Sequence, residues 1–159
     1  MTAPLKLTTS RELEAQREAA RIWSLAKARR DQNSQCDPVE KTLPGIQRRL
    51  DLAGAELILA TNSKGSVGFT LFAPHEETLE IFYLAVAPDS WGGGVAGALL
   101  AGVEEYAREI SRSILELWVI SDNERAINVY QRAGFIGTDQ LQYLDASGQT
   151  ERRMIKHLG

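Results

Sequence analysis

The stretch that decides the fold is LEIFYLAVAPDSWGGGVAG, residues 79–97. Its first half, as far as Ala87, is rich in apolar and aromatic residues and predicts a buried strand. A glycine cluster follows, in which four of the six residues from Gly92 to Gly97 are glycine. From Val95 to Ile110 apolar residues recur at helical spacing, which predicts a helix. The stretch therefore predicts a strand, a glycine-rich turn and a helix.

The glycine cluster is suited to holding an anion. Glycine adopts backbone conformations that other residues avoid, so amides at a helix N-terminus can point at a phosphate. A tight turn without a ligand is the plainer interpretation, but such a turn rarely needs so many glycines. Gly92, Gly94 and Gly97 also fit the dinucleotide pattern GxGxxG. In that fold the strand runs almost directly into the first glycine, whereas Pro88 to Trp91 intervene here, which argues against it.

Hydrophobic periodicity predicts the remaining helices and strands. We expect further strands at 4–8, 56–60, 66–72, 114–120, 137–144 and 152–158, further helices at 9–30, 44–52 and 124–133, and turns at 62–65, 73–77 and 145–148. A capping box of Thr9 and Glu12 is expected to begin the first helix, and Pro44 an early turn of the second. This order favours one mixed sheet with helices on both faces and a parallel crossover between the strands at Leu79 and Ile114.

Composition indicates one domain over residues 1–159. The chain has 43% hydrophobic and 25% charged residues, both near the globular average. A net charge of −3 offers no electrostatic footprint for nucleic acid or an anionic membrane. The single cysteine, Cys36, excludes an intrachain disulfide and a thiolate zinc cluster. With neither a signal segment nor a run long enough to span a membrane, we expect a soluble cytoplasmic protein.

Two motifs in the right order identify a family. Residues 79–135 resemble the GNAT superfamily of N-acetyltransferases, whose loop pattern is Arg/Gln-x-x-Gly-x-Gly/Ala. Here the pattern is Trp91 to Ala96, with Trp91 in the Arg/Gln place. The family's run Asn-x-x-Ala-x-x-x-Tyr-x-x-x-Gly-Phe is matched by Asn123, Ala126, Tyr130, Gly134 and Phe135. The resemblance implies an α/β, single-domain GNAT-like fold with a mixed central β-sheet flanked by helices on both faces.

The resemblance implies acetyl-CoA as cosubstrate and no metal. The backbone at Leu84, Ala85 and Val86 would hydrogen-bond the pantetheine arm like an added strand, and two parallel strands that splay apart there would leave unpaired amides for it. The residues expected to hold the pyrophosphate are Gly92, Gly93, Gly94, Val95, Ala96 and Gly97. Asn123 would contact the cofactor or cap the helix that begins near Glu124, two roles open to the same short polar side chain.

The resemblance also implies a catalytic acid and a catalytic base. Tyr130 stands at the place of the family's general acid, and a phenol with a pKa of about 10 is protonated at neutral pH and can donate to a leaving thiolate. A tyrosine on an apolar core face is the structural alternative. Glu80 stands where several family members place a carboxylate that deprotonates the acceptor ammonium, directly or through water. A solvated strand-end glutamate is the alternative there, and Glu116 is a second candidate for the base.

The acceptor has no signature in the sequence. In this fold it is set by the first two helices and their loop, here residues 11–54, which contain no diagnostic motif. A small-molecule amine and a protein amine both remain open, no nucleic-acid or membrane partner is expected, and a homodimer is compatible with the sequence. A non-catalytic CoA-binding sensor or interaction module is the alternative function.

Overall fold

The computed structural model describes residues 4–144 and 148–159. Its strands are β1 (Lys6–Thr9), β2 (Glu56–Asn62), β3 (Gly65–His75), β4 (Thr78–Val86), β5 (Ile114–Ile120), β6 (Ile136–Tyr143) and β7 (Thr150–His157). Its helices are α1 (Leu13–Arg30), α2 (Val39–Leu50), α3 (Val95–Glu109) and α4 (Glu124–Arg132), with one 3₁₀ turn at Pro88–Ser90. Of the last predicted turn, at 145–148, residues 145–147 lie outside the described residues.

The described strands form one mixed sheet in the order β1-β2-β3-β4-β5-β7-β6. Adjacent strands are antiparallel except β4 and β5, which pair in parallel. The connection between these two strands runs through α3, so the predicted parallel crossover is confirmed. A parallel pair in the middle of the sheet places the carboxyl ends of both strands at the same edge.

Helices cover both faces of the sheet, as the sequence predicts. On one face α3 and α4 pack over a buried cluster that includes Leu99 and Leu117. On the other face α1 and α2 pack over a second cluster that includes Ile22 and Ile46. The sheet is therefore the middle of three layers, and its two faces are separate apolar cores.

A β-bulge in β4 changes which side chains face which layer. Leu71 of β3 pairs with Tyr83, but Phe72 pairs with Ile81, so Phe82 is an extra residue in β4. Before the bulge Ile81 faces the α3 layer, and after it Ala85 faces the α1 and α2 layer. Such a bulge bends and twists the strand that carries it.

The predicted capping box at the start of α1 is wrong. Thr9 pairs with Ile58 in the β1–β2 ladder, so it belongs to a strand and cannot flank the helix. The helix begins at Leu13, and the Glu12 side chain makes no cap hydrogen bond. Instead the Glu12 amide donates to the Ser10 hydroxyl at 3.2 Å.

The expected start of α2 is also wrong. The helix begins at Val39, directly after Pro38, and Pro44 lies inside it rather than in its first turn. Proline removes one helical hydrogen bond, the one that would reach the carbonyl of Glu40. Both Pro44 and Glu40 are exposed, so water can hydrogen-bond that carbonyl instead.

The turn predicted at 73–77 is shorter than expected. Residues 73–75 remain in β3, where Pro74 pairs with Leu79 and His75 pairs with Thr78. The β2–β3 ladder ends at Phe72, so this part of β3 has no β2 neighbour that would need the missing proline amide. As a result, His75 lies beside the side chains of β4.

We predict that Gly68→Ala destabilises the protein by about 1–3 kcal/mol, the usual cost of overpacking. A Cβ atom at Gly68 would lie 2.7 Å from Val95 Cγ1 and 3.1 Å from the Ala85 carbonyl oxygen, where β3, β4 and α3 meet. Urea unfolding followed by circular dichroism measures the change. The control is Gly97→Ala, whose Cβ would meet no atom within 4 Å; equal midpoints for both variants and wild type would contradict the prediction.

Candidate active site

An opening between β4 and β5 forms the centre of the candidate site. The two strands pair from Thr78 with Ile114 as far as Ile81 with Leu117, and the ladder stops there. Both strands continue, β4 to Val86 and β5 to Ile120. In the described part of the chain no strand pairs with the β5-facing edge of residues 82–86, so this backbone is available to a ligand.

A cavity of about 640 Å³ lies along this opening. Strands β4 and β5, the C-terminal half of α1 and much of α4 contribute to its lining, which includes Leu84, Ala85 and Val86. Its charged lining residues are Lys27, Arg29, Arg30, Arg49, Arg125 and Glu151. Within the described residues the cavity is therefore strongly cationic, although the whole chain carries a net charge of −3. A cavity of this kind attracts an anionic ligand.

The glycine loop is open beside this cavity. Gly92 and Gly94 both have φ of +84°, a conformation that L-residues with a side chain rarely adopt. A Cβ atom at Gly92, Gly94 or Gly97 would meet no atom within 4 Å, so the loop has free space in front of it. Gly94 precedes α3 without a side-chain cap for the first amides of the helix. These features fit the binding of a phosphate group by main-chain amides.

Trp91 connects the loop to two helices. Its indole Nε1 donates a 2.7 Å hydrogen bond to the Val86 carbonyl oxygen. The guanidinium carbon of Arg125, from α4, lies 3.6 Å from the ring centroid, and that of Arg29, from α1, lies 5.7 Å away. Among the described residues neither guanidinium has an ion-pair partner, so two unneutralised cations share one aromatic ring. Sequence reasoning missed both arginines because each lies on an element remote from the loop in sequence.

Tyr130 lies on α4 and lines the same cavity. Its ring contacts Phe135 with centroids 5.8 Å apart and packs against the core on the α3 side of the sheet. Burial raises the pKa of the hydroxyl to about 12, so the phenol stays protonated at neutral pH. The residue thus packs as a core tyrosine that also lines the cavity, and its catalytic role stays a prediction.

Asn123 caps α4. Its Oδ1 accepts a 3.2 Å hydrogen bond from the Ala126 amide, and the residue also lines the cavity. The capping role predicted from the sequence is present. A contact between Asn123 and a cofactor stays a prediction.

Glu80 and Glu116 occupy neighbouring positions on β4 and β5, but in different environments. Glu116 accepts hydrogen bonds from Arg153 Nε at 2.6 Å and from Thr78 Oγ1 at 2.7 Å. Burial opposes ionisation of this carboxyl, yet these two donors lower the pKa of Glu116 below its usual value. Glu80 is also largely buried, and burial followed by the charge of Glu116 raises its pKa. The pKa values of the two carboxyls are therefore shifted in opposite directions.

The partly exposed side chain of His75 lies close to both carboxyls. Its Nδ1 lies 3.2 Å from Glu80 Oε1 and 3.6 Å from Glu116 Oε1, while 55% of its side chain is exposed. Ligand atoms of these three residues lie within 4.8 Å of one another, so the expected absence of a metal stays a prediction. The cavity is lined by Ile81 and Phe82 and not by Glu80 itself, so a role of Glu80 toward a ligand there stays a prediction.

Comparison with known proteins identifies the family. Residues 19–135 match the Acetyltransferase (GNAT) family. A stretch of 59 residues is 44% identical to the uncharacterized N-acetyltransferase MJ1207 of Methanocaldococcus jannaschii, covering 37% of this chain and 26% of that protein. The chain therefore matches only about a quarter of this relative's length.

Solved structures show the same fold. The ribosomal-protein-S18-alanine N-acetyltransferase from Escherichia coli has a TM-score of 0.75 at 17% identity, over 98% of this chain and 95% of that one. A protein assigned as a streptothricin acetyltransferase from Bacillus anthracis, solved with acetyl coenzyme A, has a TM-score of 0.63 at 17% identity, over 71% and 68% of the two chains.

The chain belongs to the Acetyltransferase (GNAT) family. The family predicted from the sequence and its fold are thereby confirmed. Among the described residues no helix is both long and apolar enough to cross a membrane.

Proposed function

We propose that this protein transfers an acetyl group from acetyl-CoA to an amine of an acceptor molecule. The observation that supports this most strongly is the open backbone edge of β4 beside a cation-lined cavity and a glycine loop. We place the reaction in the cytoplasm, a compartment in which an exposed free thiol such as that of Cys36 stays reduced.

Acetyl-CoA would be held by the backbone of β4 and by the glycine loop together with the cations at Trp91. Because successive strand residues point their amides and carbonyls to opposite sides, alternate residues among Leu84, Ala85 and Val86 offer these groups on the unpaired edge of β4, which suits an amide-containing arm. Amides of the loop from Gly92 to Gly97, together with Arg125 beside Trp91, suit its phosphates. When bound, this cosubstrate supplies an activated acetyl thioester.

Tyr130 is proposed as the general acid. A raised pKa keeps its proton at neutral pH, and the residue lines the cavity between β4 and β5. It can therefore donate to a thiolate that leaves along this opening.

Glu80 is proposed as the general base, acting through a water molecule. An alkyl ammonium has a pKa of about 10 and must lose a proton before it can attack a carbonyl. Of the two neighbouring carboxyls, Glu80 has the raised pKa, whereas the two hydrogen bonds on Glu116 reduce the basicity of that carboxylate. His75, which contacts Glu80 and is exposed, gives the proton a route to solvent.

The test of this function is release of CoA from acetyl-CoA in the presence of a panel of amines. The panel contains amino acids, their amides, diamines and peptides with free N-termini, and mass spectrometry identifies the acetylated product. Amine-dependent release would support the proposal. Tight binding of acetyl-CoA without release for any class would contradict it and favour the non-catalytic sensor.

We predict that Arg125→Gln weakens CoA binding by about 5- to 20-fold. A hydrogen bond between ions contributes about 1.5–3 kcal/mol, less at an exposed site such as this one. Isothermal titration calorimetry with CoA gives the affinity. Arg132→Gln, on the last turn of the same helix, is the matched control and should leave the affinity unchanged. Equal Kd values for both variants and wild type would remove Arg125 from the phosphate site.

We predict that Tyr130→Phe lowers kcat by about 10- to 10⁴-fold, the range for a lost proton donor, while ring packing is kept. Affinity for CoA should change little because the hydroxyl is not assigned to the phosphates. Tyr143→Phe is the control, since this side chain is 79% exposed. Turnover near the wild-type rate in Tyr130→Phe would show that the hydroxyl has a structural role or that water protonates the thiolate.

We predict that Glu80→Gln lowers the acetylation rate at neutral pH. The rate of this variant should recover in part as pH rises toward the pKa of the amine. In the wild type the rate should fall as pH drops through the raised pKa of Glu80, where the base takes up its proton. The charged and titratable groups that face Glu80 are Glu116, which raises this pKa, and His75, Arg49 and Arg153, which lower it.

The comparison variant for this experiment is Glu116→Gln. Removal of the Glu116 charge should lower the pKa of Glu80 and move the acid limb of the pH–rate profile to lower pH. If the pH–rate profile were unchanged in Glu80→Gln but altered in Glu116→Gln, Glu116 would be the base instead of Glu80.

A further inference from the structure

Arg49 is an unneutralised cation that lies on a different aromatic ring of the cavity lining from the two arginines at Trp91. It lies in the last turn of α2, lines the cavity, and has its guanidinium carbon 4.4 Å from the centroid of the Phe82 ring. Lys27 and Arg30, which also line the cavity, lie within ion-pair distance of Asp37 and Asp31. Among the described residues Arg49 has no such partner. A guanidinium placed on an aromatic ring keeps its edge free for a carboxylate or phosphate.

The position of Arg49 separates it from the proposed phosphate site. Its partner Phe82 lies four residues before Val86, whose carbonyl holds the Trp91 indole. At about 3.3 Å per residue these two points on β4 are at most about 13 Å apart, and the bulge at Phe82 shortens that span. The cations at Trp91 and the cation at Phe82 are therefore two groups, and CoA phosphates at the first group leave Arg49 for another ligand.

Arg49 and the proposed base lie on the same side of the sheet. Leu79 and Ile81 face the α3 layer, so Glu80 between them faces the layer of α1 and α2, where Phe82 and Arg49 also lie. The two charges interact, since the guanidinium lowers the pKa of Glu80. No ion pair joins them, so the cation and the carboxyl flank Phe82 without neutralising each other.

The space between these charges is apolar and aromatic. Beside Phe82, the cavity is lined by Trp23, Tyr83 and Trp118, and Trp23 and Tyr83 meet edge to face with centroids 5.0 Å apart. A ligand bound here would meet the Arg49 cation and aromatic surface, and Glu80, which does not line the cavity itself, lies two residues before Phe82 on the same face of β4. In a mainly apolar cavity, a small number of polar groups is enough to fix the orientation of a small molecule.

We infer that the acceptor is a small amine that also carries a carboxylate, and that Arg49 binds the carboxylate while the amine lies on the Glu80 side. This inference rests on the proposed function and names its acceptor class. An amine with both charges matches the separate cation and carboxyl, whereas a simple amine would leave Arg49 without a partner. A peptide N-terminus lacks the neighbouring carboxylate and fits this site less well.

The experiment compares each carboxylate-bearing amine with its uncharged amide. The probes are the twenty L-amino acids and their C-terminal amides, with CoA release measured at several concentrations to obtain kcat/KM. In an amino-acid amide the amine has a lower pKa than in the acid, so more of it is uncharged at neutral pH. This difference by itself favours acetylation of the amide, which is opposite to the expected preference. We expect at least one acid to be preferred over its amide by about 10- to 100-fold, as for a charged hydrogen bond.

Variants at Arg49 connect this preference to the residue. Arg49→Gln should bring the acid-to-amide ratio close to one, mainly through KM, and Arg49→Lys should retain part of the preference because it keeps the charge. Arg48→Gln is the matched control, since this neighbouring residue of α2 is exposed and does not line the cavity. Circular dichroism and the affinity for acetyl-CoA show that each variant is folded.

The outcomes separate the inference from the proposed function. Acetylation of amides, diamines or peptides with no preference for a carboxylate would overturn the inference and leave the acetyltransferase function standing. A preference that persists in Arg49→Gln would also overturn it, because another group would then bind the carboxylate. Bound acetyl-CoA without turnover of any amine would overturn the proposed function and the acceptor class together.

Discussion

The divergence of β4 and β5 after Ile81 and Leu117 is the constraint on which the rest of the site depends. Up to that pair the two strands satisfy each other's backbone, and beyond it the edge of β4 has no strand neighbour among the described residues. An unpaired backbone edge inside a protein is costly unless water or a ligand binds it. The bulge at Phe82 occurs at the same point, where β4 bends and its side chains change layers. The bulge at Phe82 thus coincides with the opening between β4 and β5, and both Phe82 and Tyr83 face α1 and α2.

Charge divides the cavity into functional regions. The chain is acidic as a whole, yet the cavity carries five basic side chains and one acidic one among its described lining residues, listed above. The guanidiniums of Arg29 and Arg125 lie at Trp91, beside the glycine loop, whereas that of Arg49 lies on a different aromatic ring, Phe82. Tyr130 lies on the α4 side of the opening. In the proposed function, the donor phosphates bind the cations at Trp91 and the acceptor binds Arg49. The two ligands can therefore occupy one cavity without competing for the same cation.

Features encoded in continuous sequence were predictable. The strand, glycine loop and helix around Trp91 depend on local periodicity and on glycine conformations, and β5 was predicted with its observed bounds, Ile114–Ile120. The errors arose where a distant partner decides the structure. Thr9 resembles a helix cap but pairs with β2, and Pro74 resembles a turn residue but lies where β3 has lost its β2 neighbour. The candidate site followed the same pattern: Glu80 and Tyr130 were proposed from motif position, whereas Arg49 and Arg125 became candidates only when their helices were packed against the sheet.

The most direct test of this account is amide hydrogen exchange, measured by NMR with and without acetyl-CoA. The account predicts that amides of residues 82–86 that face β5 exchange at least about 10-fold more slowly when acetyl-CoA is bound, because the ligand takes the place of the missing strand. Amides of residues 78–81, which already pair with β5, should change much less. Saturating acetyl-CoA that leaves residues 82–86 unprotected, or protects a different part of the chain, would contradict the account.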